Sequence, residues 1–373
     1  MVCFLSPPWN RYTMENDDMR ASRWKDRKAL RTRMLSKKAR SEESDETAAS
    51  EMDGRLVVYS PEAAKSHGAV GILADVNYPF YSILYEGEFV QGKAGRGEQG
   101  DILKLLVVGD DVIFEHLENG IKINGILERR SKIAKLHTDP TRSLEHHSTE
   151  KIIAANIDMG VIVASATQPQ FRPGLIDRYL VLCEYGNVKP LLCITKTDLA
   201  EAPDLSMYKG SDIPVVEVSN KTKKGIEKLK AYLLGKSCVF IGVTGVGKSS
   251  LINTIFGEEI LEVGDISRKS GMGMHTTSTT SLHIFEGSTM LIDTPGIRSL
   301  SLGNIDADLL RSYFPEFQEY SADCEFSDCT HSHEPKCAVK NAVEDGKISK
   351  LRYDRYIRIL NDIRTIPRRG SIP

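Results

Sequence analysis

The sequence has no long hydrophobic run and very little tryptophan. No apolar stretch approaches the roughly 18 residues of a membrane helix, and the first eight residues are too short and too broken for a signal peptide. We therefore expect a cytoplasmic protein with no membrane partner. Both tryptophans, Trp9 and Trp24, lie near the start of the chain. With 27% charged and 40% hydrophobic residues in a chain of 373, the composition predicts a globular protein of two or three domains.

Cysteine is also sparse. The chain has seven cysteines, an odd number, and only three of them cluster, near the C-terminus. Small secreted proteins that are held together by disulfides use cysteine densely and in even numbers. The sequence therefore argues against a disulfide framework and predicts a reducing compartment.

The net charge of -2 hides a strong segregation of charge. Ten lysines and arginines and a single acid, Asp26, lie between Arg20 and Arg40, whereas residues 42–53 are acidic and rich in serine and threonine. We expect residues 1–53 to form a disordered arm. Its basic half can bind the phosphate backbone of RNA, although a solvated tail without a specific role has the same composition.

Residues 54–136 have the pattern of a small β domain. Short apolar runs separated by Gly-rich turns predict strands at residues 68–74, 80–85, 105–108, 111–114 and 125–129. Five short strands in about 80 residues suit an OB-fold barrel that binds RNA. Four aromatic residues either stack on bases or fill the barrel core: Tyr78, Phe80, Tyr81 and Tyr85. The basic strip 129–132 is a candidate contact to the RNA backbone, and residues 137–150 are a predicted polar linker.

A phosphate-binding loop is the most specific motif in the chain. The pattern Gly-x-x-x-x-Gly-Lys-Ser spans Gly242, Val243, Thr244, Gly245, Val246, Gly247, Lys248 and Ser249, with Ser250 following. Apolar runs before and after it predict a buried strand and then a helix that ends at Gly257. The backbone N–H groups of such a loop bind phosphates, its lysine reaches the β- and γ-phosphates, and its serine binds Mg²⁺. Lys248 is therefore a predicted catalytic residue and Ser249 a predicted magnesium ligand.

Upstream of this loop, Thr195-Lys196-Thr197-Asp198 follows a predicted strand and resembles the guanine-recognition motif Asn/Thr-Lys-x-Asp. The Asp198 carboxylate can accept hydrogen bonds from both the ring N–H and the amine of guanine, which adenine does not offer. We expect Lys196 to lie along the base and Ser219, after the next strand, to present its backbone N–H to the guanine carbonyl. Thr195 is shorter than the asparagine that is common at its position, which leaves its link to the phosphate loop open.

Downstream, an apolar strand ends in the Asp-x-x-Gly motif Asp293 to Gly296. Asp293 is predicted to hold Mg²⁺ through water, and the Gly296 N–H to sense the γ-phosphate. The Gly-rich stretch 271–280 predicts a switch loop that supplies either Thr276 or Thr277 to Mg²⁺. An ordinary GTPase places its guanine motif after Asp-x-x-Gly, whereas here it precedes the phosphate loop. The alternating strands and helices of residues 151–303 therefore predict a circularly permuted P-loop α/β GTPase domain.

The clustered cysteines predict a metal site. With one histidine they form Cys-x₄-Cys-x-His-x₅-Cys, a spacing that suits a closed, structural, tetrahedral Zn²⁺ site at Cys324, Cys329, His331 and Cys337. His333 is an alternative to His331. Predicted helices at 338–344 and 349–363 complete a small, mainly helical domain over residues 304–373. In the last helix, Leu351 falls on the expected apolar side and Arg352 on an expected basic side that could contact RNA.

Together these motifs resemble the RsgA (YjeQ) family of GTPases, which depend on the small ribosomal subunit. The resemblance covers about Leu56 to Arg369 and rests on the guanine motif, the phosphate loop, the residues Gly273 to Thr277, Asp-x-x-Gly and the Cys/His pattern. It implies a multidomain protein that hydrolyses GTP with Mg²⁺ late in assembly of the small subunit. It also implies binding to ribosomal RNA through the barrel and the zinc domain. We expect the protein to be a monomer.

Two further expectations concern hydrolysis. The resemblance implies that His275 in the switch loop helps the attacking water, and Arg298 is another candidate for stabilising charge. The residue after Asp-x-x-Gly is Ile297, which cannot orient water as the glutamine of Ras-like enzymes does, so we expect slow hydrolysis that a partner stimulates. Two other interpretations stay open: an RNA-binding assembly factor in which GTP is mainly a conformational ligand, and a P-loop ATPase.

Overall fold

The computed structural model describes residues 57–64, 67–93, 103, 105–118, 120–136, 150–261, 280–286, 288–293, 302 and 305–365. The predicted N-terminal arm, nearly all of the predicted linker, His275, Thr276, Thr277 and Gly296 lie outside these residues. Within the described ranges, no helix is long and apolar enough to cross a membrane. The chain divides into two compact units. The smaller contains Leu205–Asp212 and Asp306–Asn361, and the larger contains the described residues before, between and after these stretches.

The N-terminal part of the larger unit is an antiparallel sheet. Its elements in chain order are β1 (Val58–Tyr59), α1 (Pro61–Ala64), β2 (Ala69–Asn77), β3 (Phe80–Tyr85), β4 (Glu88–Lys93), β5 (Asp111–Leu117) and β6 (Gly120–Leu127). The strand order is β1-β6-β5-β2-β3-β4, in which only β1 runs parallel to its neighbour. Inward-facing apolar side chains such as Ile83, Phe114 and Ile123 form one buried core. The OB-fold topology stays a prediction.

Two strand predictions in this region were wrong. The stretch 105–108 is not a strand, because the Val107 N–H donates to the Asp110 carboxylate (2.8 Å) and only Val108 makes a single bridge, to Ala154. Conversely, β4 was missed because Gly92 looked like the start of a turn. Gly92 is needed for packing: a Cβ there would lie 2.3 Å from the Tyr81 ring.

The four candidate stacking aromatics divide into two pairs. Tyr81 is 3% exposed and donates its hydroxyl to Ile121 O, and Tyr85 packs edge-on against Phe114 at 5.3 Å. These two belong to the core. Tyr78 and Phe80, by contrast, are 56% and 54% exposed. The sequence pattern alone could not separate the pairs.

The basic residues of the strip form ion pairs within the protein, and Arg129 is largely buried by its pair. The Arg130 side chain stays 52% exposed, so contact of the strip with RNA stays a prediction. Arg129 forms a buried two-point ion pair with Asp110, at 2.6 and 2.8 Å. Arg130 pairs with Asp158, and Lys132 with Glu150 at 2.6 Å. Each acidic partner lies 18 to 28 residues from its basic residue in sequence, so the sequence alone did not show that these positive charges are paired.

The remainder of the larger unit is an α/β layer. Its elements are β7 (Lys132–Leu136), β8 (Glu150–Ala155), β9 (Met159–Ser165), α2 (Pro173–Tyr185), β10 (Lys189–Thr195), β11 (Val215–Glu217), α3 (Ile226–Leu233), β12 (Ser237–Ile241), α4 (Lys248–Phe256), β13 (Ser281–Phe285) and β14 (Thr289–Asp293). The sheet order is β13-β14-β12-β9-β10-β11, parallel except for β13, while β7 and β8 pair separately. Every residue of β9 and β12 is buried, as expected for central parallel strands. Ser281 of β13 pairs with Asp75 of β2, which joins the two sheets.

The smaller unit is mainly helical. Its described residues form two 3₁₀ turns and three helices: Ser206–Tyr208, Leu310–Tyr313, α5 (Pro315–Ser321), α6 (Ala338–Glu344) and α7 (Lys350–Thr365), whose last residues extend beyond the unit. Phe314 and Phe317 stack at 5.2 Å in its core, and Tyr356 packs edge-on against both.

The faces of α7 differ from the prediction at two positions. Arg352 is 1% exposed, whereas Leu351 is 56% exposed. Arg352 lies in the same stripe as Tyr356, Leu360 and Ile363, at helical spacing. It tolerates burial because Nε donates to Glu316 (2.5 Å) and the guanidinium lies 4.4 Å from the Phe314 ring centre. The predicted basic side therefore lacks this arginine.

Candidate nucleotide site and metal cluster

The phosphate loop connects β12 to α4 at the carboxyl edge of the parallel sheet. A Cβ at Gly242 would lie 2.4 Å from Val163 O of the neighbouring strand β9, so only glycine permits this close approach. Gly247 has φ 93° and stands directly before the first helical residue, Lys248. The loop therefore turns sharply into a helix N-terminus, where backbone N–H groups and the helix dipole favour an anion.

Lys248 is folded back over its own loop. Its Nζ donates to Gly242 O at 2.8 Å and to Val243 O at 3.1 Å. These neutral carbonyls hold the ammonium group above the position that phosphates take in loops of this kind. Ser249 and Ser250 follow in the first turn of α4, and Asp293 ends β14 in register with Phe240 of β12. The predicted magnesium-binding residues Ser249 and Asp293 therefore stand on adjacent elements at one edge of the sheet.

Thr195 joins the guanine motif to the phosphate loop. Its hydroxyl lies 2.6 Å from Val246 O and 3.1 Å from Ala164 O, and the single proton favours the shorter bond. Lys196 adds a second link, because its Nζ donates to Gly245 O (2.8 Å) and to Gln168 O. The link that the sequence left open is thus made by a threonine hydroxyl, and the two motifs meet although they are about 45 residues apart.

Asp198 and Ser219 form the edge of the site that the sequence assigns to guanine. The Ser219 hydroxyl donates to Asp198 Oδ1 at 2.7 Å, and this bond is the main reason why the pKa of Asp198 lies below its ordinary value. The carboxylate is therefore ionised and oriented. The Ser219 N–H, however, donates to Lys224 O at 3.0 Å and is not directed at a base. Ser219 thus acts here through its side chain, which the sequence did not predict.

A cavity of about 400 Å³ opens beside the phosphate loop. Its wall includes Val243 and Thr244 of the loop, Phe171 just before α2, and Leu175 and Tyr179 within α2. The sequence did not predict this cavity, because no motif marks its apolar lining.

The Cys/His cluster forms in the smaller unit. The ligand atoms of Cys324, Cys329, His331 and Cys337 all lie within 4.8 Å of one another, a spacing that one metal ion can bridge. His331 Nδ1 is 3.4 Å from the Cys337 sulfur and 3.6 Å from the Cys324 sulfur. All but Cys324 are buried.

The structure also decides between the two histidines. His331 is fully buried, and its second ring nitrogen, Nε2, meets the Ser321 hydroxyl at 3.2 Å, an arrangement typical of metal-binding imidazoles. Burial, with help from the Arg311 charge, lowers the pKa of His331 to about 4, so the ring is neutral. His333 is exposed and contacts Ser332 instead. The Glu334 carboxylate holds the turn around His331 in place, because it accepts hydrogen bonds from the backbone N–H groups of Thr330 and Ser332.

The fold and the site define the class of protein. A guanine-type motif at the end of β10 precedes the phosphate loop in sequence yet bonds to it in space, which is the arrangement of a circularly permuted P-loop GTPase. In agreement, the chain resembles YjeQ from Thermotoga maritima (TM-score 0.62, 31% identity, 79% of this chain and 98% of that one). It also resembles YloQ, a circularly permuted GTPase (TM-score 0.62, 30% identity, 82% and 98%).

Sequence comparison identifies the family. A profile described as RsgA GTPase matches residues 126–303. The chain is 37% identical over 295 residues to the small ribosomal subunit biogenesis GTPase RsgA of Haemophilus influenzae (strain PittGG), covering 76% of this chain and 83% of that protein. The protein of the same name from Yersinia pseudotuberculosis serotype O:1b (strain IP 31758) is 36% identical over 298 residues, with the same coverage. The chain belongs to the RsgA GTPase family.

Proposed function

We propose that this protein hydrolyses GTP to GDP and phosphate during assembly of the small ribosomal subunit, the process for which its relatives are named. The observation that carries the proposal is the pair of bonds from Thr195 to Val246 and from Lys196 to Gly245. They unite a guanine-type motif and a phosphate loop in a single site, so one guanine nucleotide can bind to both.

In this site, the Asp198 carboxylate accepts from the guanine ring N–H and amine, and the stem of Lys196 supports the base. Backbone N–H groups of residues 243–250 bind the phosphates. Lys248 exchanges its two loop carbonyls for the β- and γ-phosphate oxygens, an exchange that its charge favours because charge-assisted hydrogen bonds are stronger than neutral ones. The Gly296 N–H is assigned to the γ-phosphate.

Ser249, Asp293 and either Thr276 or Thr277 are the residues that would hold Mg²⁺. The ion supplies charge neutralisation on the β- and γ-phosphates. Lys248 adds positive charge where negative charge develops during in-line attack by water. We assign His275 to the attacking water. With Ile297 after Asp-x-x-Gly, intrinsic turnover is slow and the subunit stimulates it.

The Cys/His cluster holds one structural Zn²⁺ ion. Bonds of about 2.3 Å to sulfur and about 2.0–2.1 Å to nitrogen place the ligands of a tetrahedral zinc about 3.5–3.8 Å apart. The sulfur–nitrogen distances of 3.4 and 3.6 Å and the 3.9 Å between the sulfurs of Cys324 and Cys337 fit this geometry. Four protein ligands leave no open position, which favours a structural over a catalytic ion.

The exposed aromatics of the β domain support a contact with ribosomal RNA. Tyr78 and Phe80 are the two candidates that face solvent, and Lys93 Nζ lies 5.4 Å from the Phe80 ring centre. An aromatic ring beside an ammonium group suits a base and its phosphate. We propose that the protein acts as a cytoplasmic monomer on this RNA.

The test is GTP hydrolysis by the whole protein, alone and with purified small subunits, using large subunits as the control. We expect stimulation by small subunits only. If neither condition exceeds the Lys248→Ala variant, the enzyme proposal fails. Tighter binding of ATP than of GTP, unaffected by Asp198→Asn, would identify an ATPase instead.

A second candidate is an RNA-binding assembly factor in which GTP only locks a conformation. The exposed Tyr78, Phe80 and Lys93 favour it. It predicts that Lys248→Ala abolishes hydrolysis without harming subunit maturation in cells, whereas the enzyme proposal predicts that immature subunits accumulate.

A further inference from the structure

Strand β13 carries a polar pair beside the carboxylate that we assign to Mg²⁺. Ser281 Oγ and His283 Nε2 are 3.0 Å apart. Ser281 is also the cross-strand partner of Asp293, the last residue of β14. Directly opposed residues of an antiparallel pair lie on one side of the sheet, and so do residues two positions apart in a strand. Ser281, His283 and Asp293 therefore share one face.

The same face contacts α4, the helix that follows the phosphate loop. The His283 ring packs edge-on against Phe256 of α4, with 6.3 Å between the ring centres. Burial lowers the pKa of His283, and the negative charge of Asp293 opposes this shift, so the ring and the carboxylate are close enough to interact. Hydrogen bonds in such a half-buried layer are stronger than they would be in bulk water.

Ser281 lies between two aspartates, because Asp75 of β2 is its neighbour on the other side. The Asp75 carboxyl group already accepts a hydrogen bond from the backbone N–H of Val76. In the proposed magnesium site, one oxygen of Asp293 faces the water shell of the ion, and the other can accept a bond that fixes the plane of the carboxylate. Cross-strand partners have Cβ atoms about 4.5–5.5 Å apart, which a hydroxyl and a carboxylate can bridge.

We propose that Ser281 and His283 are positioning residues for Asp293: His283 Nε2–H donates to Ser281 Oγ, and the Ser281 hydroxyl donates to the Asp293 carboxylate. The direction follows from the protons. An ionised carboxylate only accepts, and a hydroxyl has one proton, so a hydroxyl that donates to Asp293 accepts from His283. The two bonds orient the carboxylate before the ion binds, as the hydrogen-bond partners of metal ligands do. This inference rests on the proposed role of Asp293 in binding Mg²⁺ and deepens it.

The test titrates Mg²⁺ into the full-length protein with a non-hydrolysable GTP analogue and follows nucleotide affinity by calorimetry. We expect Ser281→Ala and His283→Phe each to raise the Mg²⁺ concentration for half-maximal tightening by about 3- to 10-fold, as for one hydrogen bond. Affinity for the analogue in EDTA should not change, because the pair acts only on the metal ligand. Ser281→Thr, which keeps the hydroxyl and suits a strand, should behave as the parent.

The tautomer of His283 gives a second readout that a purely structural role would not fix. Nitrogen NMR of histidine-labelled protein, at a pH above the pKa of the ring, reports which nitrogen carries the proton, and His283→Phe identifies the signal. We expect the proton on Nε2. A proton on Nδ1 would make Ser281 the donor to His283, leave no proton for Asp293 and overturn the inference.

Two controls separate this effect from general disturbance of the sheet. Ser82→Ala is the matched control, because Ser82 is also a strand serine opposite an aspartate, Asp75, but lies in the β domain. Asp75→Asn alters the other carboxylate beside Ser281. Both should keep the Mg²⁺ dependence of the parent. A shift in either control as large as in Ser281→Ala, or weaker binding of the analogue by Ser281→Ala in EDTA, would overturn the inference.

Asp293→Asn distinguishes failure of the inference from failure of the proposal on which it rests. If this variant keeps the Mg²⁺ dependence of the parent, the assignment of Asp293 to Mg²⁺ fails. If Asp293→Asn loses that dependence while Ser281→Ala and His283→Phe match the parent, the magnesium site stands and the positioning role is overturned.

Discussion

The nucleotide site and the Cys/His cluster are built from different parts of the polypeptide. In the nucleotide site, Thr195, Lys196 and Lys248 all bond to main-chain carbonyls of the phosphate loop. That loop is placed by the ends of β9, β12 and β14. In the cluster, four side chains from turns between short helices converge on one another, at sulfur–nitrogen distances of 3.4 and 3.6 Å.

The difference shows what holds the residues of each site in position. A parallel sheet fixes the phosphate loop whether or not a ligand is bound, so the nucleotide site is preorganised. Thiols are weak hydrogen-bonding groups, and an imidazole and three thiols gain little from one another. The cluster therefore depends on its ion for its structure. Removing the ion should disorder the cluster, whereas removing the nucleotide should leave the phosphate loop in place.

Removing the metal should have the largest effect. Structural zinc contributes apparent free energies of about 10–16 kcal/mol in small domains, which is comparable to the whole net free energy of unfolding of a domain, about 5–15 kcal/mol. His331→Ala should therefore lose the metal and unfold residues 306–361, whereas His333→Ala, which removes an exposed imidazole two residues away, should keep both. Metal content and limited proteolysis report the outcome. GDP affinity that collapses together with the metal would contradict independent ordering of the two sites.

Lys248→Ala should have the second largest effect, and it should lower the rate of hydrolysis rather than the stability of the fold. Loss of its charge near the transferred phosphate should lower the hydrolysis rate by at least about 10²- to 10³-fold. The melting temperature should change little, since the carbonyls of Gly242 and Val243 to which its Nζ donates belong to its own loop. Lys236→Ala is the matched control, because that lysine also donates to a carbonyl, Tyr232 O, but precedes the opposite end of β12. A comparable rate loss in the control would refute the assignment.

Thr195→Val should have a smaller effect on binding. The valine keeps the shape but leaves the buried Val246 carbonyl without its 2.6 Å donor, at a cost of about 1–3 kcal/mol, or roughly 5- to 150-fold in GDP affinity. Thr197→Val is the control. It removes a hydroxyl bond to Val218 O (3.0 Å) that does not involve the phosphate loop. Titration calorimetry with GDP compares the two, and equal losses would show that the link to the loop is unimportant.

Ser219→Ala should have the smallest effect, visible mainly as a change in pH dependence. Asp198 accepts from guanine only when ionised, and the Ser219 hydroxyl holds the pKa of Asp198 below its ordinary value. A depressed pKa keeps the carboxylate ionised to lower pH. Without the hydroxyl the pKa rises toward its usual range, so GDP affinity should begin to fall at a higher pH than in the parent. Identical profiles from neutral pH down to about pH 4 would count against this role.

The two sites also differ in how much of them the sequence could predict. Local patterns sufficed for the strand before the guanine motif, β10, and for the buried strand and the helix on either side of the phosphate loop, β12 and α4. The motif order predicted the permuted GTPase, and the Cys/His spacing predicted the cluster. The side-chain roles within the nucleotide site needed the three-dimensional structure, because the Thr195–Val246 bond joins residues 51 positions apart.

The wrong predictions concern residues whose burial, pairing or packing depends on a partner that is distant in sequence. Arg129 and Arg352 resemble surface charge in sequence, yet Asp110 and Glu316 neutralise them in buried pairs. Strand β4 was hidden by Gly92, whose packing against Tyr81 is invisible to local rules. The hairpin β7–β8 was missed because Glu150 lay in what looked like a linker.

The segment Leu205–Asp212 has a consequence for synthesis of the protein. It lies in sequence between β10 and β11 but belongs to the smaller unit, where Tyr208 is 5% exposed and its ring lies 5.5 Å from the Arg352 guanidinium. During translation it leaves the ribosome about 94 residues before Asp306, the start of the other stretch of that unit. Met207 and Tyr208 therefore lack the residues that bury them in the smaller unit until the last fifth of the chain has been synthesised. A fragment that stops at residue 305 would leave both side chains exposed.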